Sequence, residues 1–242
     1  MKIPVIKGTI ERRILVNYRI QPDIMAKQLP RPFRPKLIHG FAMGGICLIR
    51  LKHIRPSFVP WQVGIGSENA AHRIAVQWDS DQGVREGVFI PRRDTNSFLN
   101  SFAGGRIFPG VHHRASFHVQ ESDTDFHIEL QSEDRVTQVH VTGRIGSDLP
   151  RQSIFGSLNQ ASEFFENGSL GYSATRNQSH FDGLELQCVN WQLEPLDVSH
   201  LKSSFFDDTE RFPKGSIEFD CGLLMRNIQH QWHGQGELVC PQ

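Results

Sequence analysis

ENAAHRIAVQW, residues 68–78, is the stretch on which the fold turns. Glu68, Ala70, His72, Ile74, Val76 and Trp78 share one parity, and Asn69, Ala71, Arg73, Ala75 and Gln77 share the other. Residues two apart lie on one face of a strand, whereas a helix repeats every three or four. The segment is therefore predicted to be a strand with its even face buried. That face carries a carboxylate and an imidazole, Glu68 and His72, towards the interior. Burying an unpaired carboxylate is expensive, so Glu68 is expected to be ion-paired, protonated or at the edge of a wet cavity.

Strand patterns continue on both sides. Ile14, Val16, Tyr18 and Ile20 alternate with Leu15, Asn17 and Arg19, and FAMGGICLIRL (41–51) is apolar on both faces, as in a strand covered twice. GVFI (87–90) is a short strand that stops at Pro91, and DFHIEL and RVTQVHV flank Gln131-Ser132-Glu133-Asp134 as a hairpin. GLELQCVNWQLEP (183–195) and GSIEFDCGLLM (215–225) prolong the pattern; in the first, the apolar parity shifts between Cys188 and Val189, which predicts a bulge. Helices are few: PDIMAKQL (22–29), TNSFLNSFAGG (95–105) and SLNQASEFFENG (157–168). The last has Ser157 and Gln160 placed as a capping box and stops at Asn167-Gly168. Long strands with scattered short helices predict one α+β domain over residues 1–242, mainly antiparallel β, rolled into a curved sheet or barrel.

The formal net charge is zero, which gives no electrostatic reason to expect a nucleic-acid or membrane-surface partner. No apolar run is long enough to span a bilayer, and the N-terminus turns charged too early for a secretory signal. Four widely spaced cysteines without a C-x-x-C read as reduced thiols, so a cytoplasmic location is expected. The seven lysines are Lys2, Lys7, Lys27, Lys36, Lys52, Lys202 and Lys214, which leaves the stretch between Lys52 and Lys202 without an amine nucleophile.

The candidate chemistry gathers at FPGVHHRASFHV, residues 108–119. Adjacent strand residues point to opposite faces, and simple parity places His113 with Ala115, Phe117 and Val119 on the apolar side. An inward Glu68 with an inward histidine is a plausible acid–base pair, with His112 or His113 as the partner. Arg12, Arg13 and Arg73 are candidates to anchor an anionic ligand. The plain alternative is structural: Glu68 paired to an arginine and the imidazoles packed in a core. His127 and Glu129 share a strand face and His230 and His233 stand three apart, but neither is a recognised ligand frame, so neither a metal nor a cofactor is expected. Gly104-Gly105-Arg106 reads as an anion loop or a helix cap, and GYSATR (171–176) as a polar loop or a tight turn.

RRILVNYRIQPDIMAKQLPRPFRPKLIHGFAMGGICLIRLKHIRP, SENAAHRIAVQW, SIFGSLNQASEFFENGSLGYSATR and SSFFDDTERFPKGS resemble the YqjF-like family of uncharacterised conserved proteins, from about Ile10 to His233. That family is grouped with acetoacetate decarboxylase. The resemblance implies a cone-shaped, mainly antiparallel β-barrel with short peripheral helices, self-association into a homo-oligomer, and an internal pocket for a small molecule. In acetoacetate decarboxylase the turn resembling RIFPGVHH carries two adjacent lysines, one of which forms a Schiff base with the substrate ketone. By this resemblance those positions fall on His112 and His113, and the active-site glutamate falls on Glu68. Imidazole cannot form that imine. The expected protein keeps a pocket and loses the covalent chemistry. It either uses non-covalent acid–base catalysis on a carbonyl or carboxylate compound or binds a small ligand without turnover. Parity favours His113 as the inward residue, whereas the resemblance puts His112 in the Schiff-base position.

Overall fold

The computed structural model describes residues 4–60, 64–97, 110–175 and 179–239. In chain order it contains β1 (Ile6–Ile20), α1 (Pro22–Ala26), β2 (Arg34–Pro35), β3 (Leu37–Ile38), β4 (Phe41–Pro56), β5 (Ile65–Ser80), β6 (Gly83–Thr95), β7 (His112–Glu121), β8 (Asp125–Ser132), β9 (Gln138–Ile145), α2 (Leu158–Asn167), β10 (Leu170–Ala174), β11 (His180–Cys188), β12 (Glu194–Ser203) and β13 (Ile217–Val239). The predicted helix over 95–105 and the Gly104-Gly105-Arg106 loop fall mainly or wholly outside the described residues, as does Arg176.

All the strands join one sheet, antiparallel except where β6 meets β7 and β10. The sheet closes on itself twice. Pairing of β5 with β6 completes the ring β6–β7–β8–β9–β12–β13–β1–β4–β5, and β10 and β11 carry a second path from β6 to β13. The two rings share β13, β1, β4, β5 and β6, so these strands are covered on both faces. This accounts for the double-sided apolar character of FAMGGICLIRL. Ile46 and Leu48 enter one core with Ile14, Val16, Ile74 and Trp78, while Cys47 and Leu51 enter another with Leu15, Ala75 and Phe165. The first core is heavily aromatic. Phe33 packs against Trp78 and Phe89, and Tyr18 stacks on Phe206 with ring centroids 4.6 Å apart.

Three local expectations are corrected. The strand GVFI does not stop at Pro91: β6 runs on to Thr95, because the register with β5 shifts between His72 and Ile74 and Ile90 and Pro91 form a bulge opposite Arg73. A proline without an N–H is tolerated at such an unpaired position. The parity shift at Cys188 is the end of β11 rather than a bulge, and the following residues turn before β12 begins at Glu194. The helix over 22–29 is shorter than its pattern, ending at Ala26 with Lys27 as its C-cap. The capping box at α2 forms in altered geometry. Ser157 Oγ accepts from Gln160 N at 3.2 Å, while Gln160 Oε1 takes the N–H of Gly156 instead of that of the cap residue.

Candidate functional site

Register assigns each candidate to a face. Ala70, Asp94 and His113 lie side by side across β5, β6 and β7, as do Ala71, Arg93 and His112. Ala70 belongs to the aromatic core and Ala71 packs against the other one. His113 therefore shares its face with Glu68, as parity predicts, while His112 projects onto the second face, which is also covered. The two readings that conflicted in sequence refer to two different interiors.

On the first face, Glu68 is ion-paired. Arg12 Nη2 donates to Glu68 Oε2 at 2.6 Å and Arg12 Nη1 to Glu121 Oε2 at 2.6 Å, while Arg50 donates to both Glu68 and Glu121. Arg12 and Glu68 are 2% and 8% exposed. Glu121 comes from β7, which does not pair with β1 or β4, so the four charges tie together non-adjacent strands. His113 belongs to a second network. Its Nδ1 lies 3.2 Å from Asp134 Oδ2, and Asp134 and Asp94 are both held by Arg92. The Arg92 guanidinium and the Ser132 hydroxyl hold the Asp134 carboxyl well below the usual carboxylate range.

His72, also on this face, is enclosed by Phe205 and Phe206 at 4.9 and 5.9 Å between centroids. Neither ring nitrogen has a hydrogen-bond partner among the described residues. Burial, reinforced by Arg92 and Arg211, pushes its pKa down to about 3, so the ring is neutral.

The second face holds the cavity. Its volume is about 60 Å³, and it is lined by Ile49, Leu51, Asn69, Arg93, His112, Leu184 and Trp232 among others. It has room for a few water molecules or a small ligand group, and among the described residues no lysine lines it. The turn that delivers His112 depends on Gly110, whose φ is +81° and whose added Cβ would stand 2.5 Å from Ser173 Cβ. Gly110 N donates to Asp182 Oδ2 at 2.9 Å, which fixes the turn against β11. Arg93 Nε donates to the Ser173 hydroxyl at 2.9 Å. Burial, and then the Arg93 charge, push the His112 pKa down to about 3, so this imidazole is also neutral at pH 7.

Arg13 and Arg73 stand on the same second face, further along it. Among the described residues Arg13 donates to the sulfurs of Cys47 and Met225, at 3.4 and 3.7 Å, and lies 5.5 Å from the Trp191 ring centroid. Arg73 donates to Asn17 Oδ1 at 2.6 Å and lies 4.8 Å from the Phe165 centroid. Burial lowers the pKa of Arg73, and of Arg93, to about 10, which leaves both charged at neutral pH. Among the described residues none of Arg13, Arg73 and Arg93 forms an ion pair with a carboxylate, whereas Arg12, Arg50 and Arg92 each hold at least two. The structure thus separates the predicted set. Glu68 and Arg12 form one cluster and His113 another; His112 lines the cavity, and Arg13 and Arg73 lie on its face. Arg93, Asn69 and Trp232 are the cavity residues that the sequence did not single out. Arg93 sits past Pro91, where the strand was expected to have stopped, and Trp232 comes from the far end of β13.

Comparison with known proteins agrees with this architecture. A family model described as DUF2071, uncharacterized conserved protein, matches residues 8–216. No curated protein matches the chain. Among solved structures, acetoacetate decarboxylase from Legionella pneumophila is similar over 96% of this chain and 87% of its own, at 11% identity and a TM-score of 0.60. An acetoacetate decarboxylase-like enzyme from Sphingomonas wittichii covers 100% and 95%, at 10% identity and 0.59. The enduracididine biosynthesis enzyme MppR, complexed with pyruvate, covers 99% and 91%, at 11% identity and 0.57. At these identities the likeness is one of fold.

Proposed function

The chain belongs to the DUF2071 family of uncharacterized conserved proteins and has an acetoacetate decarboxylase-like fold, and from that premise we propose that it binds a small carboxylate or oxo acid in the His112 cavity and acts on it, if at all, without a covalent intermediate. One observation carries the reading. The cavity wall includes Arg93, a half-buried cation whose side chain donates to a neutral hydroxyl, beside the neutral imidazole of His112. Among the described residues no carboxylate stands within ion-pair distance of this guanidinium, although the Asp182 charge acts on it from further off, so an anionic guest would be its direct ionic partner. In this reading Arg93 holds the carboxylate and Asn69 adds a polar contact. Neutral His112 polarises a carbonyl or moves a proton once the guest has offset the Arg93 charge. Arg13 and Arg73 add positive potential along the same face. Glu68 and Arg12 serve as the ion-paired closure of the other interior, and His113 anchors Asp134. The lining among the described residues includes no amine for an imine, which supports a reading without Schiff-base chemistry. The neighbour solved with pyruvate supports an oxo acid as the first probe.

The test is calorimetric titration of pyruvate and acetoacetate into the wild type, Arg93→Gln and His112→Asn. Loss of a charge-assisted contact is worth about 1.5–3 kcal/mol, or roughly 10- to 150-fold in affinity for Arg93→Gln. Absence of binding by both acids, or binding indifferent to both substitutions, would overturn the proposal. Substrate turnover that His112→Asn abolishes identifies an enzyme; binding without turnover identifies a ligand-holding protein.

A further inference from the structure

The outer face of the β7–β8–β9–β12 sheet carries a histidine cluster that the proposed pocket does not use. Two rows cross it. Gln120, His127, Thr142 and His200 are register partners in one, and His118, Glu129, His140 and Lys202 in the other. The intervening residues Phe126, Ile128, Leu130, Val139 and Val141 are buried in the aromatic core, so strand alternation turns both rows outward. His127, Glu129 and His140 each offer one ligand atom, and the three atoms lie within 4.8 Å of one another. We propose that His127, Glu129 and His140 form a binding site for a first-row divalent transition ion, with Zn²⁺ the ion to which the site is best suited.

The geometry is close to what such an ion needs. Zinc–nitrogen and zinc–oxygen bonds of about 2.0–2.1 Å place tetrahedral ligand atoms roughly 3.3–3.4 Å apart. His127 Nε2 lies 3.3 Å from Glu129 Oε1, and His140 Nε2 lies 4.0 Å from the same oxygen. The three atoms, at most 4.8 Å apart, need side-chain adjustment to draw in to that spacing. Two imidazoles and a carboxylate suit zinc, nickel or copper and disfavour magnesium or calcium, which want an all-oxygen shell.

The supporting contacts have the form of an outer ligand shell. His127 Nδ1 is 3.0 Å from Thr142 Oγ1, with Nε2 towards the carboxylate; the same hydroxyl lies 3.4 Å from His140 Nε2, a contact that a bound ion would replace. The His127 and His140 rings meet edge-on, with centroids 4.7 Å apart and planes at 80°. His200 packs against His140 with ring centroids 4.3 Å apart, near enough to serve as a fourth ligand in place of water. The three ligands stand on paired strands rather than on a loop, so their spacing is set by the sheet. His127 and His140 are about one-third exposed, which leaves the point of convergence open to a dissolved ion.

The site shares no residue with the His112 cavity and lies on other strands, so the two proposals stand or fall separately. The experiment is titration of the full chain, first stripped of metal by chelation, with Zn²⁺ by calorimetry and with Co²⁺ by visible absorption. One ion per chain is expected, with the intense d–d bands of a low-coordinate cobalt site. His127→Ala, His140→Ala and Glu129→Gln are each expected to weaken Zn²⁺ binding by about 100-fold or more, and Thr142→Val by about tenfold. His180→Ala, whose imidazole meets Glu237 elsewhere on the sheet, should leave binding unchanged. No stoichiometric binding by the wild type, or binding that survives His140→Ala and Glu129→Gln, overturns the proposal.

Discussion

Replacing Glu68 by glutamine tests whether this residue holds the fold together or serves the cavity. The carboxylate accepts from two guanidiniums, Arg12 and Arg50, whose side chains are 2% and 25% exposed. Glutamine offers one carbonyl oxygen and an NH₂, so one of the two contacts becomes donor against donor. The oxygen should turn to Arg12, where an unpaired buried donor costs most. That contact falls from charged to neutral, a loss of about 1 kcal/mol. The lost contact at Arg50 would cost about 1.5–3 kcal/mol if it were fully buried. It costs less here, because Arg50 keeps Glu121 and Glu11 and reaches solvent. The expected total is about 2–3 kcal/mol, or a fall in Tm of roughly 5–10 °C for a chain of this size. Glu68→Ala strips both arginines and opens a void, and should cost about 3–5 kcal/mol. The assay is urea and thermal unfolding of the three proteins, with pyruvate titration alongside. Because Glu68 and the cavity are on opposite faces, pyruvate affinity should be unchanged in Glu68→Gln. A Glu68→Gln protein as stable as the wild type, or one that loses pyruvate binding while folded, would refute the assignment of Glu68 to the ion-paired closure.

Two further outcomes are expected. Gly110→Ala should destabilise the fold by about 2 kcal/mol or more and displace His112, because φ is +81° and the new Cβ would stand 2.5 Å from Ser173 Cβ; unfolding together with pyruvate titration reads both effects, and a fully stable variant would refute the reading. His72→Leu should hold or raise stability at pH 7, since it replaces a buried imidazole whose nitrogens lack hydrogen bonds. It should also flatten the acid limb. The folded pKa of His72, about 3, lies below the unfolded value, so between about pH 6.5 and 3 only the unfolded chain takes up this proton and stability falls with falling pH. The substitution should remove about 1.4 kcal/mol per pH unit of that slope near pH 5, and an unchanged slope in denaturant midpoints from pH 7 to 4.5 would show that His72 is protonated in the folded state.

Much of this fold was legible in the chain. The two-residue alternation of ENAAHRIAVQW and RRILVNYRI names strands directly, because a pleated backbone repeats every two residues. FAMGGICLIRL announced a doubly covered strand, and Ser157 with Gln160 marked the start of α2. That Glu68 would be paired, protonated or at a wet edge followed from the cost of a buried charge, but which of these holds, and with what partners, did not. Arg12, Arg50 and Glu121 lie 56, 18 and 53 positions away, on strands whose register no local pattern reveals. The stop at Pro91 was misread because a bulge makes room for proline, and that hid Arg93 from the candidate list. His127 and Glu129 were visible as a pair on one strand. The third member of that cluster, His140, becomes a neighbour only when β8 pairs with β9.

The sequence by itself determined the class of fold, the absence of lysine between Lys52 and Lys202, and the opposite orientations of His112 and His113. Each of these depends on residue identity or on the short repeat of an extended backbone. Only the tertiary structure decided that His112 lines a cavity while His113 meets Asp134 at the rim of the other face, that Glu68 and His112 belong to different faces, and that Arg93 rather than Arg12 stands at the cavity. Those facts depend on which strands close the two rings and in what register, and a slip of one residue would exchange the faces of every side chain along a strand.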